Sequence, residues 1–304
     1  MNAETITVGA GTQYPLNGLL TLPDDLSAPV PAVVLVHGSG PSNMDERVMK
    51  LTPFKDIAEG LAQRGIASLR YDKRTFTYRK QLAKTSPTVR EETIDDALLA
   101  LELLRQDARI DRSRIFLLGH SLGAMLVPRI DAEGGNARGL ILLAATPYRL
   151  EDVVLRQLRQ AGGKPPLSWI VSLEYKIFKK KFDGLYQLSD EEAKKKKFAG
   201  SVTLYYFKEM GQKTAADYLL ESDKPALLLQ GERDFQVLAD DDFRQLQTLL
   251  AERKNTVFKR YPGLNHIFVP AISDDILKAT KEYGTERHIG DDVIDDIASF
   301  ILTA

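Results

Sequence analysis

The sequence predicts a doubly wound, mostly parallel α/β sheet that carries a helical insertion. Short, continuously apolar segments recur along the chain, as in strands that are buried on both faces of a sheet. Segments with the spacing of apolar residues that is typical of helices alternate with them. This alternation is interrupted once, over residues 147–222, a stretch far longer than an ordinary connection in such a fold.

The composition narrows the classes of protein and partner. A chain of 304 residues suffices for one large domain with a sizeable insertion. A formal net charge of −1 indicates neither a nucleic-acid partner nor an anionic membrane. The absence of cysteine excludes disulfides, thiolate catalysis and cysteine-ligated metals. The sequence contains neither a recognisable signal peptide nor an apolar run long enough for a transmembrane helix, so we expect a cytoplasmic protein. A homodimer is possible.

Apolar runs and helical spacing define the elements before the insertion. Residues 32–36 form a run that is apolar on both faces, and residues 91–106 place Ile94, Leu98 and Leu101 at helical spacing. In chain order, these patterns predict antiparallel strands within 4–9 and 14–22, a strand at 32–36, a helix at 53–64, a strand at 66–71, a polar loop at 72–87, a helix at 91–106, a strand from 115, a helix ending near 133 and a strand at 139–144.

The insertion predicts a helical cap at 147–222, so that the core domain comprises residues 1–146 and 223–304. Its lysine runs are interpreted as solvated helix faces. Amphipathic segments lie near 151–160, 168–181 and 189–210. After the insertion the βα alternation resumes, with a strand at 226–230, a helix at 240–253, a strand at 256–260 and a final helix at 291–302.

The pattern Gly-x-Ser-x-Gly at residues 119–123 carries the strongest chemical signal. An apolar strand precedes it and a helical segment follows it, which is the setting of a nucleophile elbow. Gly119 and Gly123 lack a Cβ atom, so the strand and the helix can pack closely around the turn. Ser121 is therefore the predicted nucleophile, whereas a glycine-rich turn with a solvated serine is the alternative.

A serine nucleophile needs a base, and the chain has four histidines. His266 lies in a loop after the last strand, where a base can reach over the sheet edge, and it is the predicted base. The other three have simpler interpretations. His37 is expected to brace a loop, His120 to point away from the serine hydroxyl, and His288 to lie at the surface.

The acid that orients the base is expected between the serine and the histidine in chain order. Asp234 lies in a loop that directly follows a buried strand, and it is the predicted acid. Glu232 in the same loop is expected to pair with an arginine or to be solvated. Three aspartates at 240–242 open the next helix, and capping of that helix accounts for them.

An oxyanion that forms at the substrate needs fixed donors. The N–H of Leu122, directly after the nucleophile, is one predicted donor, and the N–H of Ser39, in the loop His-Gly-Ser-Gly after an early strand, is the other. A plain glycine-rich turn is the alternative for that loop. Neither a dinucleotide-binding nor a P-loop pattern occurs in the chain.

The segments HGSGP, RYDKR, GHSLGA, QGERDFQV and the LNH loop resemble the α/β-hydrolase family in their order along nearly the whole chain. The closer resemblance is to bacterial EstD-type carboxylesterases, in the branch related to dienelactone hydrolases and acyl-CoA thioesterases. It implies the same roles for Ser121, Asp234, His266, Ser39 and Leu122. One departure follows HGSGP, where those esterases often continue x-D-R-D-E and this chain reads Ser-Asn-Met-Asp-Glu.

These residues predict a serine carboxylic-ester hydrolase that acts on small to medium acyl groups and needs no metal or organic cofactor. A thioesterase, a sugar-ester deacetylase or a peptidase could use the same residues. A ligand-binding protein that keeps the fold without turnover is the alternative outside the enzymes, and a purely structural module has little support. The acyl group, the alcohol and the natural substrate are left open.

Overall fold

In the computed structural model, the described residues are 1–162 and 168–304. Residues 163–167, which belong to the predicted insertion, lie outside them. The strands of the described part are β1 (Asn2–Val8), β2 (Leu16–Leu22), β3 (Val30–Val36), β4 (Ala67–Tyr71), β5 (Ile110–His120), β6 (Leu140–Leu143), β7 (Lys197–Ala199), β8 (Val202–Thr203), β9 (Ala226–Gly231) and β10 (Thr256–Tyr261).

Helices flank these strands, and none within the described ranges is both long and apolar enough to cross a membrane. Short π-helical or 3₁₀ turns lie at Arg90–Ile94, Asp131–Gly135, Leu185–Gln187, Ala239–Phe243 and Ile276–Lys278. The α-helices are α1 (Pro53–Ala62), α2 (Arg74–Thr77), α3 (Arg79–Leu82), α4 (Asp95–Gln106), α5 (Leu122–Ile130), α6 (Leu150–Gly162), α7 (Ser168–Phe182), α8 (Asp190–Lys195), α9 (Leu204–Met210), α10 (Ala215–Leu220), α11 (Arg244–Leu249), α12 (Ala279–Tyr283) and α13 (Asp291–Thr303).

Eight strands form one sheet in the order β1-β2-β4-β3-β5-β6-β9-β10. The strand β2 is antiparallel to β1 and β4, and the strands from β4 to β10 in this order are parallel to their neighbours. The chain leaves β3 for β4 on one side and later returns to β5 on the other. A crevice therefore opens between the carboxyl ends of β3 and β5, which is where doubly wound sheets place their ligand sites.

The inner strands of the sheet are buried on both faces, and this explains why the sequence of β3 is continuously apolar. Val34 and Val36 belong to the apolar core that contains α4 and α5, whereas Val33 and Leu35 belong to the core that contains α1 and α13. Because successive side chains of a strand point to opposite faces, a strand between two helical layers needs apolar residues at every position. The predicted doubly wound, mostly parallel sheet is confirmed.

Three local predictions were wrong. The segment 72–87, predicted as a loop, contains the one-turn helices α2 and α3, and the predicted helical stretch 189–210 is divided by the hairpin of β7 and β8. Gly200 in that hairpin has a φ of 54°, which a continuing helix does not allow. The predicted helix 240–253 begins as a π-helical turn and ends with α11 at Leu249.

Candidate active site

Ser121 occupies the turn between β5 and α5, and its backbone is strained. Its φ is 54° and its ψ is −116°, a backbone region that residues other than glycine rarely adopt. Its own N–H donates to the carbonyl of Leu143 at 2.9 Å, and its carbonyl accepts the N–H of Met125 at 3.1 Å. The neighbouring strand and the first turn of the helix thus hold the serine at the carboxyl edge of the sheet.

The two glycines of the elbow are required by close backbone approach. A Cβ atom on Gly119 would lie 2.4 Å from the backbone carbonyl of Gly123, and one on Gly123 would lie 2.1 Å from the carbonyl oxygen of Val36. Both distances are far below van der Waals contact. The spacing Gly-x-Ser-x-Gly is therefore needed for α5 to pack against β5 and β3.

His266 and Asp234 form a buried pair. His266 Nδ1 lies 2.7 Å from Asp234 Oδ2, and both residues are almost fully buried. The second carboxylate oxygen of Asp234 accepts the N–H groups of Gln236 at 2.7 Å and Val237 at 3.0 Å. The carboxylate is thus fixed by its own loop and receives the Nδ1–H of the imidazole, which leaves Nε2 for another partner.

The loops that carry this acid and base are joined by their backbones. Arg233 N–H donates to the carbonyl of Leu264 at 2.8 Å, and a Cβ atom on Gly231 would lie 2.5 Å from the carbonyl oxygen of Asn265. The side-chain oxygen of Asn265 accepts the N–H of Ile267 at 3.1 Å. Because β9 and β10 are parallel neighbours, their following loops meet at the same sheet edge as Ser121.

The loop after β3 lies against the serine. A Cβ atom on Gly38 would be 3.3 Å from Ser121 Cβ, so a larger residue would crowd the nucleophile. Ser39 and Leu122 both line the cavity beside Ser121. Within residues 1–162 and 168–304, the N–H of Ser39 finds no acceptor, and Leu122 is the first residue of α5, where N–H groups lack partners within the helix.

The sequence-predicted residues meet at one cavity of about 410 Å³. Ser121, His266, Ser39 and Leu122 line it, and Asp234 lies behind His266. Its volume falls in the range of small-molecule sites. Apolar walls come from α5, from α6 and from the loops of the base and the acid, through Met125, Leu150, Val153, Val154, Val237 and Ile267.

A second buried pair, which the sequence reasoning did not predict, joins the two sides of this cavity. Glu46 Oε1 accepts the N–H of Gly38 at 2.5 Å, and its Oε2 lies 2.9 Å from His120 Nδ1. His120 Nε2 donates to the carbonyl oxygen of His266 at 2.9 Å. The sequence did contain a signal for this pair. Glu46 is the last residue of the segment Ser-Asn-Met-Asp-Glu, where the chain departs from the pattern of the esterases that it resembles.

Glu46 and His120 each shift the pKa of the other. Burial alone would raise the pKa of Glu46, but His120, His37 and the Gly38 N–H together outweigh burial and lower it. Burial alone would lower the pKa of His120, but Glu46, the His266 carbonyl and Asp234 together outweigh burial and raise it. The pair connects the Gly38 N–H, which Glu46 accepts, to the carbonyl oxygen of His266, to which His120 donates.

The remaining sequence candidates lie away from the proton-transfer geometry. His37 is buried and its Nε2 donates to the carbonyl of Asn43 at 3.1 Å, and His288 is exposed beside Asp56. Burial lowers the pKa of His37 to about 4. Glu232 pairs with Arg260 at 3.0 Å.

Asp242 of the acidic run is buried and joins segment 147–222 to the core. Its Oδ2 accepts the N–H of Leu238 at 2.6 Å and lies 2.7 Å from Arg156 Nη2 of α6. Within the described residues, no group of three or more metal-ligating side chains is arranged to hold a metal ion.

Comparison with known proteins places the chain in a family. A sequence model of the family described as "Alpha/beta hydrolase family" matches residues 33–277 of this chain. Over 287 residues the chain is 37% identical to Esterase EstD of Thermotoga maritima, an alignment that covers 94% of this chain and 65% of that protein. The chain therefore spans about two thirds of the length of that relative.

Solved structures of low sequence identity share the fold. Est1E from Butyrivibrio proteoclasticus, with ferulic acid bound, is 15% identical with a TM-score of 0.61, over 98% of this chain and 100% of that chain. A dienelactone hydrolase from Anabaena variabilis is 14% identical with a TM-score of 0.53, over 99% and 97% of the two chains. The resemblance in the sequence is confirmed: the chain belongs to the alpha/beta hydrolase family.

Proposed function

We propose that this protein is a serine hydrolase of carboxylic esters, with Ser121 as nucleophile, His266 as base and Asp234 as the acid that orients the base. The observation that carries the proposal is the 2.7 Å contact between His266 Nδ1 and Asp234 Oδ2 beside a cavity that Ser121 also lines. The similarity to Esterase EstD over most of the chain supports the same activity.

In the proposed reaction, His266 Nε2 takes the hydroxyl proton of Ser121 as Oγ attacks the ester carbonyl carbon. Asp234 holds the Nδ1–H tautomer and stabilises the imidazolium that forms. The N–H groups of Ser39 and Leu122 donate to the oxyanion. His266 then protonates the leaving alcohol, and water attacks the acyl-enzyme on Ser121 with the same assistance.

The cavity favours a small or medium acyl group. About 410 Å³ lies near the lower end of the volumes that hold small molecules. Leu150, Val153 and Val154 of α6 supply an apolar wall on the side away from the sheet. We therefore assign segment 147–222 the role of a cap that encloses the acyl group, held to the core by contacts such as that of Arg156 with Asp242.

The test combines covalent labelling with turnover. Wild type, Ser121→Ala and Ser113→Ala are incubated with a fluorophosphonate, and the labelled peptide is identified by mass spectrometry. The same proteins are assayed on p-nitrophenyl esters of increasing acyl length, a matched acyl thioester, a peptide anilide and an acetylated sugar. Ser113 is exposed on β5, outside the cavity, so its substitution controls for the loss of a serine hydroxyl.

We expect one adduct, on the peptide that contains Ser121, and ester turnover in wild type and Ser113→Ala. Ester turnover should be lost in Ser121→Ala, with activity declining beyond a limiting acyl length. If the enzyme preferred the thioester, the anilide or the acetylated sugar, the proposed substrate class would be wrong, but the assignment of Ser121 as nucleophile would stand. A folded wild type without adduct or turnover would refute the proposal and favour a ligand-binding protein.

A further inference from the structure

A lysine is buried beneath the loop that carries Ser39. Lys73 follows β4 and is only 1% exposed. Its Nζ donates to the carbonyl oxygen of Gly38 at 2.8 Å and to Glu92 Oε1 at 2.6 Å. Withdrawing an ammonium group from water is costly unless its partners are well placed. Here one of those partners is a backbone carbonyl beside the candidate nucleophile.

The carboxylate that pairs with this lysine is itself fixed. Glu92 lies in the π-helical turn Arg90–Ile94, and its Oε2 accepts the hydroxyl of Tyr206 at 2.8 Å. Tyr206 belongs to α9, in segment 147–222, and is also buried. The ammonium of Lys73 is therefore held in place from the side opposite to Gly38.

The Gly38 carbonyl and the Ser39 N–H belong to the same peptide unit. In a trans peptide these two groups point in opposite directions. A carbonyl that is held by a buried ammonium group therefore directs the N–H of Ser39 to the other side, toward the cavity that Ser39 lines. The N–H of Gly38 is also held, by Glu46 at 2.5 Å, so the peptide groups on both sides of Gly38 have fixed partners.

Glycine makes such fixing necessary. Gly38 has no side chain to restrict its backbone torsion angles, and Gly40, two residues on, has a φ of 83°. A larger residue at Gly38 would crowd the site, because its Cβ would lie 3.1 Å from Glu46 Oε1 and 3.3 Å from Ser121 Cβ. The orientation of the Gly38–Ser39 peptide must therefore come from partners outside the loop.

We propose that Lys73 is the positioning residue of the oxyanion hole: through the Gly38 carbonyl it holds the Gly38–Ser39 peptide with its N–H toward the substrate oxygen. Its charge also polarises that peptide and strengthens the N–H as a donor. Lys73 does not touch the substrate and acts through the peptide alone. The proposal rests on the proposed ester hydrolysis, in which the Ser39 N–H stabilises the oxyanion.

The test separates positioning from stability by restoring the charge balance. Lys73→Met leaves the Glu92 carboxylate buried without its cation and is expected to lower the melting temperature. Lys73→Met combined with Glu92→Gln removes both charges and keeps an amide oxygen for the Tyr206 hydroxyl, so its melting temperature should recover toward that of wild type. Asp96→Asn, in the neighbouring buried pair with Arg74, is the matched control for loss of a buried carboxylate.

Each protein is assayed on the best ester and for inhibition by the trifluoromethyl ketone of the same acyl group, which forms an anionic adduct with a serine. In the double variant we expect kcat to fall about 100-fold, the effect of losing one oxyanion donor, with KM little changed. The inhibition constant of the ketone should rise by a similar factor. Asp96→Asn should retain the kcat and the ketone affinity of wild type.

Two results would overturn the proposal. One is a double variant that folds and keeps both the kcat and the ketone affinity of wild type. The other is a crystal structure of that variant in which the Ser39 N–H still points into the cavity, a measurement that needs no turnover. If wild type hydrolyses no ester, the proposed function fails on its own, and the crystal structure still decides whether Lys73 orients the peptide.

Discussion

At the scale of single residues, Ser121 is the proposed nucleophile and has a backbone conformation of high energy. Its φ of 54° lies in a region that costs a non-glycine residue about 1–3 kcal/mol. The cost is sustained by the packing of α5 against β5, which leaves no room for a relaxed turn. The strain therefore belongs to the position, and it would persist with other side chains that have a Cβ atom.

Substituting Ser121 by glycine should separate the strain from the hydroxyl. We expect the free energy of unfolding of Ser121→Gly to be about 1 kcal/mol higher than that of Ser121→Ala. The glycine variant is the more stable because glycine adopts positive φ without penalty. Urea denaturation of the two variants measures the difference, and both should lack ester turnover. Equal stabilities would show that the elbow is unstrained at this residue.

The buried pair of Glu46 and His120 also supports the site, because it connects the backbone of Gly38 to that of His266. Glu46→Gln should lower the free energy of unfolding by about 3 kcal/mol, since it removes the buried carboxylate that faces His120 and holds the Gly38 N–H. Combined with His120→Gln, the cost should be smaller than the sum of the single substitutions. Additive costs in urea denaturation would contradict coupling between them.

At the scale of elements, the elbow depends on how closely two strands and a helix approach. Gly123 in the first turn of α5 lies directly against the carbonyl of Val36 at the end of β3. A side chain there has to push α5 away from the sheet, which would move Ser121 away from His266. The position of the nucleophile is thus decided by a contact between elements that are distant in sequence.

Gly123→Ala should therefore lower the free energy of unfolding by at least about 3 kcal/mol, the upper end of the cost of overpacking. Gly11→Ala is the control. Gly11 has a positive φ of 82°, but a Cβ atom there would meet nothing within 4 Å, so only the conformational cost of about 1 kcal/mol applies. Similar losses in the two variants would contradict the steric explanation.

At the scale of the whole molecule, buried titratable groups link stability to pH. Burial lowers the pKa of His37 to about 4, from an ordinary value of 6.5. Between these values the unfolded chain binds a proton that the folded chain does not, so stability falls as the pH falls. The difference corresponds to about 3 kcal/mol lost between pH 6.5 and about pH 4.

His37→Gln should flatten this acid loss, because glutamine keeps an N–H donor for the Asn43 carbonyl and does not titrate. Free energies of unfolding measured by urea denaturation from pH 7 to pH 4 check the prediction. His288 is a control of opposite sign. Asp56 raises the pKa of His288, so its contribution is present below about pH 6.5 and is lost as pH rises, and His288→Gln should steepen the acid loss. An unchanged slope in His37→Gln would refute the assignment.

Much of the fold was predictable because it depends on local patterns. Continuous apolar runs such as 32–36 identify strands that are buried on both faces, and Gly-x-Ser-x-Gly identifies the sharp turn at Ser121. Element boundaries were less predictable. The hairpin of β7 and β8 interrupts a stretch with helical spacing, because the backbone at Gly200 and the pairing of two short strands outweigh local propensity.

The sequence by itself determined the doubly wound sheet, the elbow and the order of Ser121, Asp234 and His266, because these follow from periodicity and chain order. Only the tertiary structure decided what holds the site together. Glu46 and Lys73 reach Gly38 from different parts of the chain, and no spacing rule relates them to it. Their partners are set by the burial of charge in a shared interior, which forces each buried charge to find a compensating group wherever the fold provides one.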